Sequence, residues 1–160
     1  MHKWIVPIER LSITDKQGDW CRLPYPNHPR GCPNYAHPKH PECPPTAKPV
    51  DETIDVSRPM FLVHSVFDLE AHIERMAGLH PKRSELQKRC VLYWQETSRK
   101  QMRERAAIAQ YEKGTNVILT CPEGSGVNVY ATARSHGLKL ERIRHLKTCR
   151  HVALLGSRRQ

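Results

Sequence analysis

Apolar positions first gather at Trp4, Ile5, Val6 and Ile8, a short extended run in which Pro7 lacks a backbone donor and is tolerated only at a sheet edge or a bulge. The next run, MFLVHSV at residues 60–66, reads as a buried strand. It leads into FDLEAHIERMAGL, where Leu69, Ile73, Met76 and Leu79 share one helical face, Asp68 stands near the start, and Gly78 with Pro81 ends about three turns of helix. Ser84 and Gln87 have capping-box spacing and open a long helical stretch closed by Gly114, with Leu86, Cys90, Tyr93, Trp94, Met102 and Ile108 marking its buried side. Beyond it NVILT reads as a strand, GVNVYATARSHG as a helix and HVALLG as a final strand. This order predicts an α+β or α/β fold: a small mixed sheet, two or three helices, and a C-terminal right-handed parallel β-α-β unit. There is no internal repeat.

The N-terminal third follows neither period. Nine prolines lie between Arg22 and Pro49; they remove backbone donors and fix φ, so a defined shape there needs a cross-link such as a bound metal. Apolar residues are 38% of the chain, below the globular average, and the deficit lies mainly in the first fifty residues. A chain of 160 residues is the size of one domain. The expectation is a single domain over residues 1–160, with an extended Cys/Pro-rich metal-binding segment at 1–58 and a globular α/β core with a basic tail at 59–160.

Cys21, Cys32 and Cys43 are evenly spaced through that segment, and Cys32, Cys43 and Cys121 are each followed by proline. Cys-Pro is a recurrent ending of iron–sulfur ligand runs. The spacing of the cysteines does not match the C-x-x-C knuckles of structural zinc, although His37, His40 and Cys43 stand three apart with His28 near, which keeps zinc open as the alternative. Thiolate preference weighs toward an iron–sulfur centre. Cys121 is the preferred fourth ligand, because it lies where a strand ends and the CPEGSG turn leads into a helix; Cys90 is the alternative and Cys149 the weakest.

The CPEGSG turn has too few glycines, and no Lys-Ser/Thr, to be a nucleotide P-loop, yet its backbone amides offer an unspecific anion site. Glu123 could serve as a general base, though a lone turn carboxylate is usually solvated. Tyr93 and Trp94 beside Arg99, Lys100, Arg103 and Arg105 could stack a base; the plainer reading is core packing with the cations on the opposite helix face.

The formal charge is +10, and residues 111–160 hold nine Lys/Arg against three Asp/Glu. The cluster Lys139, Arg142, Arg144, Lys147, Arg150, Arg158 and Arg159 favours an acidic partner, RNA or DNA being the obvious one, with Arg142, Arg144, Lys147 and Arg150 the candidate contacts. The start has no apolar h-region and no later run is long enough to span a bilayer, so a cytoplasmic location and no membrane partner are expected. Six cysteines in a reducing compartment read as metal ligands or redox thiols, not as a disulfide framework.

Four segments in order, CRLPYPNHPRGCPNYAHPKHPECPP, FDLEAHIERMAGLHP, QKRCVLYWQ and CPEGSGVNVYATARSHGL, make the chain resemble a family of predicted metal-binding proteins of unknown function over roughly residues 20–140. The resemblance implies a cysteine-bound metal, an iron–sulfur cluster by expectation, with Cys21, Cys32 and Cys43 at the family's motif cysteines and Cys90 and Cys121 within its later motifs. It implies no reaction. Two functions compete: a [4Fe–4S] protein acting as a redox or sulfur-handling enzyme through an open cluster iron, and a non-catalytic zinc- or cluster-stapled nucleic-acid-binding module.

Overall fold

The computed structural model describes residues 1–24 and 28–160; Tyr25, Pro26 and Asn27 of the cysteine-rich segment lie outside the described residues. The protein is a mixed α+β fold built on a four-stranded antiparallel sheet. Strands β1 (Ile5–Ile8), β2 (Met60–His64), β4 (Val117–Leu119) and β6 (Val152–Gly156) lie in the order β1-β2-β6-β4. A two-stranded ribbon joins β3 (Phe67–Asp68) to β5 (Thr148–Cys149). Pro7 sits opposite Phe61 on the edge strand β1, where a missing donor costs no ladder bond on the outer side.

Strand β6 is buried throughout, and alternation sorts its side chains to two cores. Ala153 and Leu155 pack with Ile5 and Val63 against Met102, Ala106 and Ala109 of α5 (Gln95–Lys113). Val152 and Leu154 face the other way, onto Ile8, Leu62, Val50 and Ile54, together with Val129 and Ala133 of α6 (Val129–Ser135). Val50 opens the single-turn helix α2 (Val50–Thr53), and Ile54 follows it. The core therefore does not begin near residue 60: β1, Val50 and Ile54 bring the N-terminal segment into it, because β2 needs a partner on its outer edge and the sheet face needs cover.

The expected parallel β-α-β unit is corrected. The strand, helix, strand order is present, but β4 and β6 pair antiparallel, with Val117 opposite Gly156 and Leu119 opposite Leu154, and the sheet is antiparallel rather than mixed. Helix α6 spans only seven residues. The segment after it passes through β5, pinned to β3, and reaches the end of the sheet where β2 leaves, so β6 starts there, with Val152 opposite His64.

The long helix from Ser84 to Gly114 is also corrected: it breaks into α4 (Glu85–Lys88), a 3-10 turn (Val91–Tyr93) and α5. The Ser84–Gln87 capping box forms as expected, and Gly114 ends α5 at φ 63°. Between them Trp94 is buried, stacked on Phe67 at 5.1 Å and packed with Leu69 and Cys149, while its indole N–H donates to the Arg89 carbonyl freed by the break. Burying that ring turns Leu86 and Tyr93 to solvent; Ile108, on the outer side of α5, is exposed as well, whereas Trp94 and Met102 are buried as expected. Helix α3 (Leu69–Leu79) is capped by Asp68, which accepts from the Ala71 amide; Leu69 is buried and Leu79 exposed. Among the described residues no helix is long and apolar enough to cross a membrane.

Leu154 is fully buried on the central strand, so Leu154→Ala is expected to cost about 2–5 kcal/mol of stability, read as a lower midpoint in urea unfolding.

Candidate functional site

The cysteine loop is held by backbone contacts rather than by regular structure. Cys21 ends the one-turn helix α1 (Gln17–Cys21), where Gln17 Nε2 donates to its Sγ at 3.4 Å. The Cys21 carbonyl accepts from the Cys32 amide at 2.7 Å, folding the chain back on itself. This closeness demands Gly31: at φ 85° a Cβ there would stand 2.3 Å from the Cys21 oxygen. Further along, the Ala36 amide donates to the Pro44 carbonyl and the Cys43 amide to the His40 carbonyl, which closes the 32–44 stretch into a loop.

This loop lies against the turn after β4. Pro122–Ser125 forms a 3-10 turn, and the Gly124 amide donates to the Cys121 carbonyl at 3.1 Å. A Cβ on Gly124 would fall 1.9 Å from the Glu42 oxygen and 3.5 Å from Cys43 Cα. The glycine of the CPEGSG turn thus lets two backbones meet and sets Cys43 beside Cys121, close enough for the Cys121 side chain to lower the Cys43 thiol. Cys32 and Cys21 lie near enough to Cys43 to raise its thiol further. All six cysteines are free thiols, and four of them, Cys21, Cys32, Cys43 and Cys121, share one neighbourhood. Cys90 stands apart, capping the 3-10 turn at Val91–Tyr93. Among the described residues no three His, Cys, Asp or Glu side chains are arranged to hold a single metal ion.

The neighbourhood is rich in groups that would be anionic when ionised. Burial pushes the Cys121 thiol up to about 12, with Glu123, Cys43 and Glu42 adding to the effect against a Gly124 amide that lowers it. Cys43 is raised by burial, then by Glu42, Cys32 and Cys21. Glu123 keeps part of its surface in solvent, yet crowding around its carboxyl raises it, against the lowering pull of its Cys121 hydrogen bond and of Arg99. The histidines of the loop are engaged elsewhere: His40 Nδ1 meets Glu42 Oε1 at 3.0 Å, and His37 Nδ1 accepts from the Lys39 amide at 3.2 Å.

Cys43 and Cys121 open onto a cavity of about 520 Å³ at the sheet end where β4 leaves and β6 enters. Arg99, Arg150, Cys149 and His151 line it as well. Here lies a polar chain that the sequence pattern did not single out. The His151 amide donates to Ser65 Oγ at 2.9 Å, Ser65 and Ser98 hydroxyls are 2.8 Å apart, and Ser98 Oγ is 2.8 Å from His151 Nδ1. One proton order serves every member: Ser65 donates to Ser98 and Ser98 to Nδ1, which leaves the ring proton on Nε2. Burial first, then Arg99, lowers His151 to about 4, against an opposing pull from Glu96, so the ring is neutral near pH 7. Cys149 Sγ lies 3.7 Å from the same nitrogen and is raised by burial. The only sequence signal for this cluster was the polar pair His64-Ser65 ending an apolar strand opposite Cys149 and His151 at the entry to another.

The predicted nucleic-acid contacts do not form one patch. Arg142 and Arg144 line a groove with Arg134 and Lys139. Arg150 belongs to the cysteine cavity, and Lys147 pairs with Glu70 at 3.5 Å. The split follows from β5, which pins residues 148–149 to β3 and turns the flanking side chains to different surroundings.

No family model matches the chain, and no curated protein or solved structure matches it.

Gly124→Ala is expected to force the turn off the loop, costing about 1–3 kcal/mol and loosening residues 32–44, which hydrogen exchange would report. His151 gives a pH dependence. The unfolded chain protonates it near 6.5 and the folded chain only near 4, so the unfolded state binds more protons between these values. Its contribution is complete above about 6.5 and is lost as pH falls toward 4. Denaturant titrations of His151→Gln across that window are expected to show a shallower slope than wild type, with His64 and His72, lowered by burial as well, supplying the remainder.

Proposed function

We propose that the protein binds one [4Fe–4S] cluster through Cys21, Cys32 and Cys43, with Cys121 or an exogenous ligand on the fourth iron, and that it works as a redox or sulfur-handling enzyme. The observation that carries this reading is the convergence of four cysteines from separate parts of the chain, two of them brought side by side by the Gly124 contact. The donor set fits the group. Its thiols are soft, and the surrounding burial and carboxylates disfavour thiolates unless a cation compensates them, which a metal centre does. A cluster places each thiolate on a different iron, so its ligands stand farther apart than the donors of a single ion. His37 and His40 are engaged by Lys39 and Glu42, which favours iron–sulfur over zinc. The cavity at Cys43 and Cys121 favours the enzyme over pure electron transfer, since a substrate has room beside the fourth position. An open iron supplies Lewis-acid or sulfur-accepting chemistry.

Protein purified without oxygen is expected to contain about four irons and four acid-labile sulfides per chain, with a broad visible absorption band. The triple variant Cys21→Ser, Cys32→Ser, Cys43→Ser is expected to lose them, while a Cys121→Ser variant that keeps the cluster identifies the open iron. About one zinc with no sulfide, or a folded triple variant with full metal content, overturns the proposal.

The alternative is a non-catalytic module stapled by zinc or a cluster that binds RNA or DNA. It draws on the groove lined by Arg134, Lys139, Arg142 and Arg144. The two readings part at the cavity: the module has no use for a recess at Cys121.

A further inference from the structure

The cavity beside the cysteines continues past its own rim. A second concavity, a groove of about 720 Å³, shares Tyr130, Leu140 and Ile143 with it and lies between α6 and the segment that follows. Arg134, Lys139, Arg142 and Arg144 line this groove, and among the described residues none of these side chains forms an ion pair or a hydrogen bond. The sole acid in residues 124–160 is Glu141. Its Oε2 accepts from the Lys147 and Thr148 amides at 2.7 and 3.0 Å, so that carboxylate is committed to the backbone. Four cations thus stand along one groove, and the carboxylate that acts on one of them, Glu141 on Lys139, makes no ion pair with it.

The shared rim is apolar and aromatic. Tyr130 is 51% exposed and Ile143 80% exposed, although both sit beside a concave surface. Cations that track a backbone, interleaved with a ring on which a base can stack, are what a single-stranded nucleic acid requires. A duplex is a poorer fit, because its bases stay within the stack and present no group to a recess. The recess has the size of sites that enclose a nucleotide-sized ligand. Inside it Arg150 keeps a buried Nε with no partner among the described residues, and Arg99, which lowers Glu123 and Glu96, lines it as well.

We propose that the substrate is a nucleotide carried within a single-stranded nucleic acid: the strand lies along the Arg134–Arg144 groove, and one nucleotide turns past Tyr130 into the cavity that holds Cys43 and Cys121. The metal reading supplies the chemistry at the end of that path; strand binding itself depends on the groove alone.

Fluorescence anisotropy of the full chain with a short labelled single-stranded RNA, its DNA counterpart and a free nucleoside monophosphate tests this. Saturable strand binding is expected, with a log–log salt slope of about −3 for four neutralised phosphates. The double variant Arg142→Gln, Arg144→Gln is expected to weaken it about tenfold or more and to flatten the slope. Tyr130→Ala is expected to weaken binding with the slope unchanged. Arg158→Gln, at the far end of β6, is expected to leave it as in wild type, and circular dichroism checks that each variant folds. Stronger binding of RNA or of DNA tells which strand is the natural one, and either supports the proposal. Absence of saturable binding, indifference to the double variant, or a mononucleotide that binds as well as the strand overturns it. Iron and sulfide measured on the same samples keep the two ideas separable: strand binding without a cluster sinks only the metal reading, and a cluster without strand binding sinks only this one.

Discussion

The backbone of Gly124 touching that of Glu42 and Cys43 is the contact on which the functional end of this protein depends. Neither side could make it alone. The cysteine loop has almost no side-chain core and is shaped by a few amide-to-carbonyl bonds, while the CPEGSG turn is rigidly placed by β4 on one side and the buried Pro122 and Val127 on the other. Bringing two backbones to this distance requires a residue without a side chain. The same meeting point places a thiol from each half of the chain together, so the fold and the chemistry share one constraint.

The strands and the candidate ligands were legible because each follows from a local rule. Strand β1 was recognisable as an edge from Pro7, β2 and β6 from their apolar runs, and α3 from its period and its Asp68 cap. The four cysteines stood out because proline follows three of them and because the segment between Arg22 and Pro49 can build neither helix nor sheet interior. What was not legible is non-local. Nothing local tells that Trp94 must reach Phe67 and Leu69, and that reach is what breaks the long helix and exposes Tyr93. The direction of β6 was equally hidden, since it is set by where β5 pins the returning chain and not by the pattern of β6 itself. The role of Val50 and Ile54 was missed for a similar reason: two apolar residues in a polar segment carry no period, yet they cover a sheet face together with Val129 and Ala133 of α6.

The Ser65–Ser98–His151 chain belongs to the same class of non-local features. Its members come from the end of β2, the start of α5 and the entry to β6, and only the antiparallel sheet brings them to one edge. Buried hydroxyls are costly unless every donor and acceptor is matched, and here they are matched in a line that ends on a neutral imidazole. That line fixes the ring beside Cys149 in the same cavity that Cys43 and Cys121 line, so a neutral imidazole shares the recess with thiols that burial keeps protonated.

The electrostatics of that cavity are divided. Its cysteine side collects Cys43 and Cys121, raised by burial and by neighbouring Glu42 and Glu123, and Glu123 itself, raised by burial against Arg99. Its other wall carries Arg99 and Arg150 and opens onto a groove of cations. A bare protein gains little by lining one recess with buried thiols and an arginine whose Nε is buried without a partner among the described residues. The arrangement would become favourable with the proposed cationic centre at the thiols and the proposed polyanion at the arginines, each relieving its own side. The proposed metal and the proposed strand would therefore answer two halves of one imbalance, and the Gly124 contact keeps those halves within reach of each other.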